Sequence, residues 1–275
     1  MDDIIYHQKN LWDQISIYHL LHGELKDDFF RYPRHEFLSR FSVDYENWIE
    51  LNSKNLKENL DLIYADATLL LFDYNDYLST ISQPSLVIRM LDMLDIEPGM
   101  SVFELGTGSG WNAALMGGLV GKEGRVITTE IIPAIAEQAK RHLQKFDLPQ
   151  VEVRTGDAQI IMKEEGLFDR GIFTAGALDL PLLYFEKIKQ DGLLLFVLKT
   201  QNVDLLLLLK KEDDYFQEID RLPCLFVPVK GEVPKERTLG PEILSYKKIQ
   251  IHPKNHHSKH KIIAEGELCV YTESA

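Results

Sequence analysis

The chain has 275 residues, 45% of them hydrophobic, and a formal net charge of −13. That length suits one large domain, or one domain with an appendage, and the acidity argues against a general nucleic-acid or membrane surface. Two cysteines outside any C-x-x-C pair argue against zinc and fit a reducing cytoplasm, and no apolar run approaches the roughly 18 residues of a spanning helix. Met1-Asp2-Asp3 lacks the basic and apolar regions of a secretory leader.

In chain order, apolar positions between Asn10 and Leu21 predict an amphipathic helix. His7, His19 and His22 share no ligand spacing and read as surface residues. Tyr32-Pro33-Arg34-His35-Glu36-Phe37 follows, and Val43 to Leu60 reads as a surface helix and loop. Leu69 to Phe72 predicts a short strand. Then comes the stretch that organises the rest. Ser79-Thr80-Ile81-Ser82-Gln83-Pro84 leads into a helix, Ser85 to Leu94, with Val87, Met90, Leu91 and Leu94 on one face. Pro98-Gly99 separates it from a buried strand, Ser101 to Leu105, and a glycine loop, Gly106-Thr107-Gly108-Ser109-Gly110. A helix, Trp111 to Val120, and a strand, Arg125 to Thr129, end in Glu130.

Glycines let a backbone turn tightly and approach a ligand without a Cβ. The following helix offers free N–H groups and a dipole that favour an anionic group. An acid roughly 20 residues past the loop, at the tip of the next strand, can take the hydroxyls of a ribose; Glu130 stands there. The alternative is a glycine turn with no ligand. Dinucleotide sites usually read G-x-G-x-x-G, whereas this loop reads G-x-G-x-G.

Further on, Pro133 to Phe146 predicts a helix and Val151 to Arg154 a strand, ending in Thr155-Gly156-Asp157. Asp157 there either meets a ligand or caps a backbone N–H. Gly171 to Ala175 is a strand, Leu182 to Ile188 a helix, Gln190-Asp191-Gly192 a turn, and Leu193 to Leu198 a buried strand. Val203 to Lys210 and Gln217 to Val229 continue as strands. The alternation predicts an α/β fold: a doubly wound, mostly parallel Rossmann-like sheet with helices on both faces and a late antiparallel pair. The expected divisions are an N-terminal helical segment (1–78, with an insertion near 43–60), a catalytic domain (79–230) and a C-terminal β-rich extension (231–275). The extension holds the basic, histidine-dense stretch of the chain, including His256, His257 and His260. It reads as a hairpin loop between strands Tyr246–His252 and Ile262–Tyr271; a metal site or an acidic partner is the alternative.

The glycine loop, preceded by Glu104 and followed by Trp111, resembles the first motif of Rossmann-like S-adenosylmethionine-dependent methyltransferases. Thr80-Ile81-Ser82-Gln83-Pro84, with Val87, Arg89, Met90 and Pro98-Gly99, resembles the protein-L-isoaspartate O-methyltransferase family. Tyr32 to Phe37, Tyr64-x-Asp66, Glu130-Ile131-Ile132-Pro133, Phe168-Asp169-Arg170 and Phe226-Val227-Pro228-Val229 are similar to further segments of it. The resemblance implies methyl transfer from S-adenosyl-L-methionine, leaving S-adenosyl-L-homocysteine, to isoaspartyl residues of peptides or proteins. No metal is expected, because the histidines lack companion ligands, and the acidity leads us to expect no nucleic-acid or membrane partner. Ser82 and Thr80 are the implied catalytic residues, with Ser82 hydrogen-bonded to the substrate. The implied cofactor set is Ser79, Ile81, Glu104, Gly106, Thr107, Gly108, Gly110, Glu130, Ile131, Gly156, Asp157, Ala158 and Thr174. Within it Glu104 approaches the amino group, Glu130 the ribose and Asp157 the adenine. The alternative for Ser82 is a helix cap before Gln83-Pro84, and both roles can hold together.

The chain departs from the family at Asn75 to Ser79, where glycines are usual, at Ala158, at Asp191 and at Val197-Leu198-Lys199. Its stretch from Val43 to Leu60 is also longer, and would act as a lip over the cleft if it reaches the site. These departures leave open a relative that methylates another carboxylate or peptide; a cofactor-binding scaffold without catalysis is the third reading, and the intact Ser82, Glu130 and glycine loop favour catalysis over it.

Overall fold

The computed structural model describes residues 2–17, 23–74, 77–200, 203–229, 248–253, 261–264 and 268–272. Two helices come first, α1 (Asp2–Ser16) and α2 (Gly23–Arg31). Leu11, Trp12 and Ile15 recur at helical spacing and are buried with Leu25 and Phe29. Helix α1 begins well before the expected start at Asn10, because Ile4 extends the apolar stripe and packs on the same core.

The stretch read as a surface helix and loop opens instead as a hairpin of β1 (Arg40–Ser42) and β2 (Trp48–Glu50). Its turn is built by Asp44, whose Oδ1 accepts from the backbone N–H of Glu46 (3.1 Å) and Asn47 (2.8 Å). A 3₁₀ turn (Lys57–Asn59) and one turn of α3 (Leu60–Ile63) follow. Strands β3 (Leu69–Tyr74) and β4 (Tyr77–Ile81) then pair antiparallel, giving a four-stranded sheet in the order β2-β1-β3-β4. The N-terminal helices are thus joined by a small sheet whose last strand carries Ser79-Thr80-Ile81.

Next come α4 (Pro84–Leu94), β5 (Ser101–Leu105), α5 (Trp111–Val120), β6 (Arg125–Glu130), α6 (Pro133–Leu143), β7 (Val151–Thr155), α7 (Ala158–Lys163), β8 (Phe168–Phe173), α8 (Leu182–Lys187) and β9 (Ile188–Leu198). Strand β9 starts earlier than expected and runs through Asp191, whose φ of 60° shows where the expected turn is absorbed. The chain ends in β10 (Asp204–Lys211), β11 (Phe216–Cys224), β12 (Ile249–Pro253), β13 (Lys261–Ala264) and β14 (Leu268–Thr272).

One sheet runs β13-β14-β12-β11-β10-β9-β8-β5-β6-β7. The half from β9 to β7 is parallel and doubly wound, with its order reversing between β5 and β8. The other half is antiparallel, from the expected β10–β11 pair out to the C-terminal strands. The expected hairpin between residues 246–252 and 262–271 is corrected in pairing. Strand β12 pairs with β14 (Ile251 opposite Val270), while β13 lies outside it. Strands β13 and β14 are close in sequence, and closing the shorter loop costs less chain entropy. The histidines at 256, 257 and 260 lie outside the described residues.

The central sheet is buried on both faces. On β9, Leu195 and Val197 join the core under α4, α5 and the N-terminal helices, while Leu194, Phe196 and Leu198 join a second core with Phe103, Phe173 and Tyr184. In such a sheet the crevice for a ligand lies at the carboxyl ends of the strands where the order reverses.

Candidate functional site

The first side of that crevice is the turn after β5. Gly106 has φ 101°, and a Cβ on it would lie 2.4 Å from Thr174 Oγ1. Thr174 uses that hydroxyl to donate to the carbonyls of Leu105 (2.9 Å) and Gly106 (2.6 Å), pinning the turn to the end of β8. Gly108 has φ 52°, and a Cβ there would press within 3.3 Å of the Thr80 carbonyl. The turn and the end of β4 therefore approach as closely as only glycine allows.

Two carboxylates flank the turn. Glu104 is fully buried; it accepts from Asn112 Nδ2 (2.6 Å) and Thr128 Oγ1 (2.6 Å). Burial pushes its carboxyl up to about 7. Asn112 Oδ1 is buried and has no hydrogen-bond partner among the described residues. Glu130 ends β6 and is 7% exposed; its Oε2 accepts from the Gly108 N–H (3.0 Å) and its Oε1 from the Ile132 N–H (3.1 Å). Burial raises this carboxyl as well, and the backbone donors oppose the rise. At the end of β7, Gly156 N–H donates to the Glu130 carbonyl (2.8 Å). Asp157 begins α7 and its Oδ1 accepts from the Gln159 N–H (2.8 Å), so the capping role holds for that oxygen.

Across the crevice stand Ser79, Thr80, Ile81 and Ser82. Ser82 is half-buried and does not cap α4. Asp66 does so in its place: its Oδ1 accepts from the Ser85 N–H (2.8 Å) and its Oδ2 from Gln83 Nε2 (2.8 Å). The far wall is the segment from Phe226 to Val229. It is joined to the end of β8 by Gly176 N–H to the Val227 carbonyl (2.8 Å) and Val229 N–H to the Gly176 carbonyl (2.8 Å). Lys199 Nζ donates to Asp204 Oδ2 (2.8 Å) and to the Phe226 carbonyl (3.0 Å), and Phe226 N–H donates to Asp204 Oδ2 (3.0 Å).

These walls enclose one cavity. Ser79, Thr80, Ile81 and Ser82 line it, with Glu104, Gly106, Thr107 and Gly108, then Glu130, Ile131, Gly156, Asp157, Ala158 and Thr174. Gly110 does not line it: its φ of 87° begins α5, and its Cα faces Leu143 and Ala139 of α6. The cavity also takes in Asn112, Asp179, Met90 and Phe226, which sequence reasoning left out of the site. For Asn112 the signal was a polar residue just inside an otherwise apolar helix. For Asp179 no local pattern marks it. No β1–β2 hairpin residue is among the lining residues described, so the lip over the cleft finds no support. Among the described residues no group of His, Cys, Asp and Glu could hold a metal ion, and no helix is long and apolar enough to cross a membrane.

Comparisons with known proteins agree with this geometry. Residues 50–234 match the family model for protein-L-isoaspartate(D-aspartate) O-methyltransferase. A protein-L-isoaspartate O-methyltransferase of Pyrococcus horikoshii is 38% identical over 155 residues, which cover 56% of this chain and 70% of that one. A solved protein-L-isoaspartate O-methyltransferase superposes with a TM-score of 0.71 at 21% identity, over 97% of this chain and 88% of that one. A Plasmodium falciparum protein assigned to the same activity, solved with S-adenosyl-L-homocysteine, superposes with a TM-score of 0.63 at 17% identity, over 82% of this chain and 98% of that one. The two structures carry the likeness of fold, and the match across most of the sequence carries the lineage: this chain belongs to the protein-L-isoaspartate(D-aspartate) O-methyltransferase family.

Proposed function

We infer that the chain methylates the free carboxylate of isoaspartyl residues in peptides or proteins, with S-adenosyl-L-methionine as methyl donor, as a step of protein repair. The observation that carries this reading is the single cavity in which the Thr80–Ser82 wall faces the glycine turn and Glu130. The residues present fit the cofactor. Asn112 Oδ1, buried and unpartnered beside Glu104, suits an ammonium group. Glu130, held by two backbone N–H groups, keeps lone pairs for a ribose diol. Glu104, Glu130, Asp157 and Asp179 together suit a cationic ligand.

When bound, the cofactor supplies an electrophilic methyl group on a sulfonium. The chain's own part is to bind, orient and dry the acceptor. A carboxylate with a pKa of about 4 is already ionised at neutral pH, so no strong general base is needed. The acceptor oxygen would take the methyl as the bond from that carbon to the donor sulfur breaks, with the bonding pair left on sulfur, so the chain has only to hold the oxygen in line. Ser82 and Thr80 hold that oxygen in line. Met90, Val87 and Phe226 exclude water from it. The methyl ester that leaves the site can close to a succinimide, expelling methanol, and then open partly to normal aspartate. The free Cys224, whose thiol burial pushes up to about 12, suits work in a reducing cytoplasm.

Incubating the protein with labelled S-adenosyl-L-methionine and three samples tests the reading: an isoaspartyl peptide, the same peptide with normal aspartate, and no peptide. Label appearing as base-labile ester on the isoaspartyl peptide alone is the expected result. Equal labelling of the normal peptide would redirect the reading to another carboxylate.

A further inference from the structure

Arg34 is 1% exposed, and methyl transfer as derived above makes no use of it. Its Nη1 donates to the carbonyls of Ile63 (2.7 Å) and Ala65 (3.2 Å). Its Nη2 donates to those of Ala67 (2.8 Å), Ile81 (3.3 Å) and Ser82 (3.0 Å). Burying a cation is costly unless its donors are satisfied, and here only Nε lacks a partner among the described residues. Burial pushes the guanidinium down to about 9, which leaves it charged at neutral pH. A planar fork is the side chain that can serve carbonyls from two segments at once. Here one segment is 63–67 and the other is the end of β4 with Ser82.

Asp66 acts on the residues that follow Ser82. It lies between Ala65 and Ala67, whose carbonyls Arg34 holds, and its two oxygens take Gln83 Nε2 and the Ser85 N–H. Ser82 is therefore bracketed, by Arg34 at its own carbonyl and by Asp66 at the residue and helix turn that follow. The hydroxyl of Tyr64 meets His35 Nδ1 at 2.6 Å, which ties the neighbours of both residues together. We propose that Arg34 and Asp66 are positioning residues for methyl transfer, fixing the peptide plane of Ser82 so that its hydroxyl is presented to the acceptor carboxylate. This rests on the reading of Ser82 as the substrate contact.

The test is a double-mutant cycle with the full chain. Arg34→Lys keeps the charge and loses the fork. Its kcat with an isoaspartyl peptide is expected to fall about tenfold, since small misplacements of a reacting group cost that much or more. Affinity for S-adenosyl-L-homocysteine, measured by calorimetry, is expected to stay at the wild-type value. In a Ser82→Ala background the same substitution should cost nothing further, because the two act as one unit. Equal loss in both backgrounds, or cofactor affinity falling in step with kcat, would make Arg34 a structural residue and overturn the proposal. If Arg34→Lys does not fold, Asp66→Ala is run through the same cycle and judged by the same outcomes. Ser82→Ala with full activity would remove Ser82 from the reaction and the clamp's purpose with it. A slow Ser82→Ala beside a wild-type Arg34→Lys would remove the clamp alone.

Discussion

The two walls of the cavity are held in different ways. On the side proposed for the cofactor, Glu130 accepts from the Gly108 and Ile132 N–H groups, and Gly106 is pinned by Thr174. Those contacts stay within the parallel strands and the turns that follow them. On the side proposed for the substrate, Ser82 sits at the end of a small antiparallel sheet, and Arg34 reaches it across 48 residues of sequence. One wall is built from the ends of neighbouring parallel strands, with Gly108 and Glu130 in one strand-turn-helix-strand unit and Thr174 brought in from the end of β8. The other is assembled from pieces outside that parallel sheet. The cofactor wall should thus fail through affinity when altered, and the substrate wall through turnover.

Glu130→Ala presses hardest on this contrast. Hydrogen bonds to a charged group contribute about 1.5–3 kcal/mol each, so affinity for S-adenosyl-L-homocysteine should fall by roughly ten- to a hundredfold on that scale. Calorimetry that finds affinity unchanged would take Glu130 out of the site. Ser82→Ala comes next. Its turnover with an isoaspartyl peptide should drop about tenfold with cofactor affinity intact. Weaker cofactor binding with normal turnover would reverse the assignment of the two walls.

A smaller effect concerns pH. Glu104 is raised to about 7 by burial, so the folded state holds its proton more tightly than the unfolded state does. Its contribution to stability is present below about 4.5 and is lost as pH rises toward 7. Melting temperatures of wild type and Glu104→Gln should diverge over that window, with the variant losing less. Parallel curves would show that Glu104 ionises in the fold at no cost. The smallest effect belongs to Asp44→Ala. Opening the exposed β1–β2 turn should lower the melting temperature slightly and leave kcat/KM for the peptide unchanged. A change in kcat/KM would mean that the hairpin reaches the cleft after all.

The same contrast explains what was legible in the sequence. Glycines, a strand on each side and Glu130 at the right distance are local signals, and each stands where it was expected. Gly110 is the exception: its glycine serves the approach of α6, which spacing within the loop does not encode. The small sheet was hidden because β1, β2 and β4 are short, and their burial depends on partners elsewhere in the chain. Asp66 and Arg34 were visible only as resemblance, since nothing near them in sequence shows that one caps α4 and the other gathers five carbonyls. Asn112 carried a weak local signal, and its orphaned oxygen emerges only beside the buried Glu104.

Lys199 and Asp204 give the far wall its stiffness. Asp204 is 2% exposed and anchors both the lysine and the Phe226 N–H, at the point where the first antiparallel strand begins. Pushing Phe226 outward would strip an N–H donor from a carboxylate that water barely reaches and leave Lys199 as its partner; a hydrogen bond to a charged group contributes about 1.5–3 kcal/mol. The wall is in effect a fixed anvil. A damaged residue entering the cavity would meet tethered backbone there, as it would at the clamped carbonyl of Ser82.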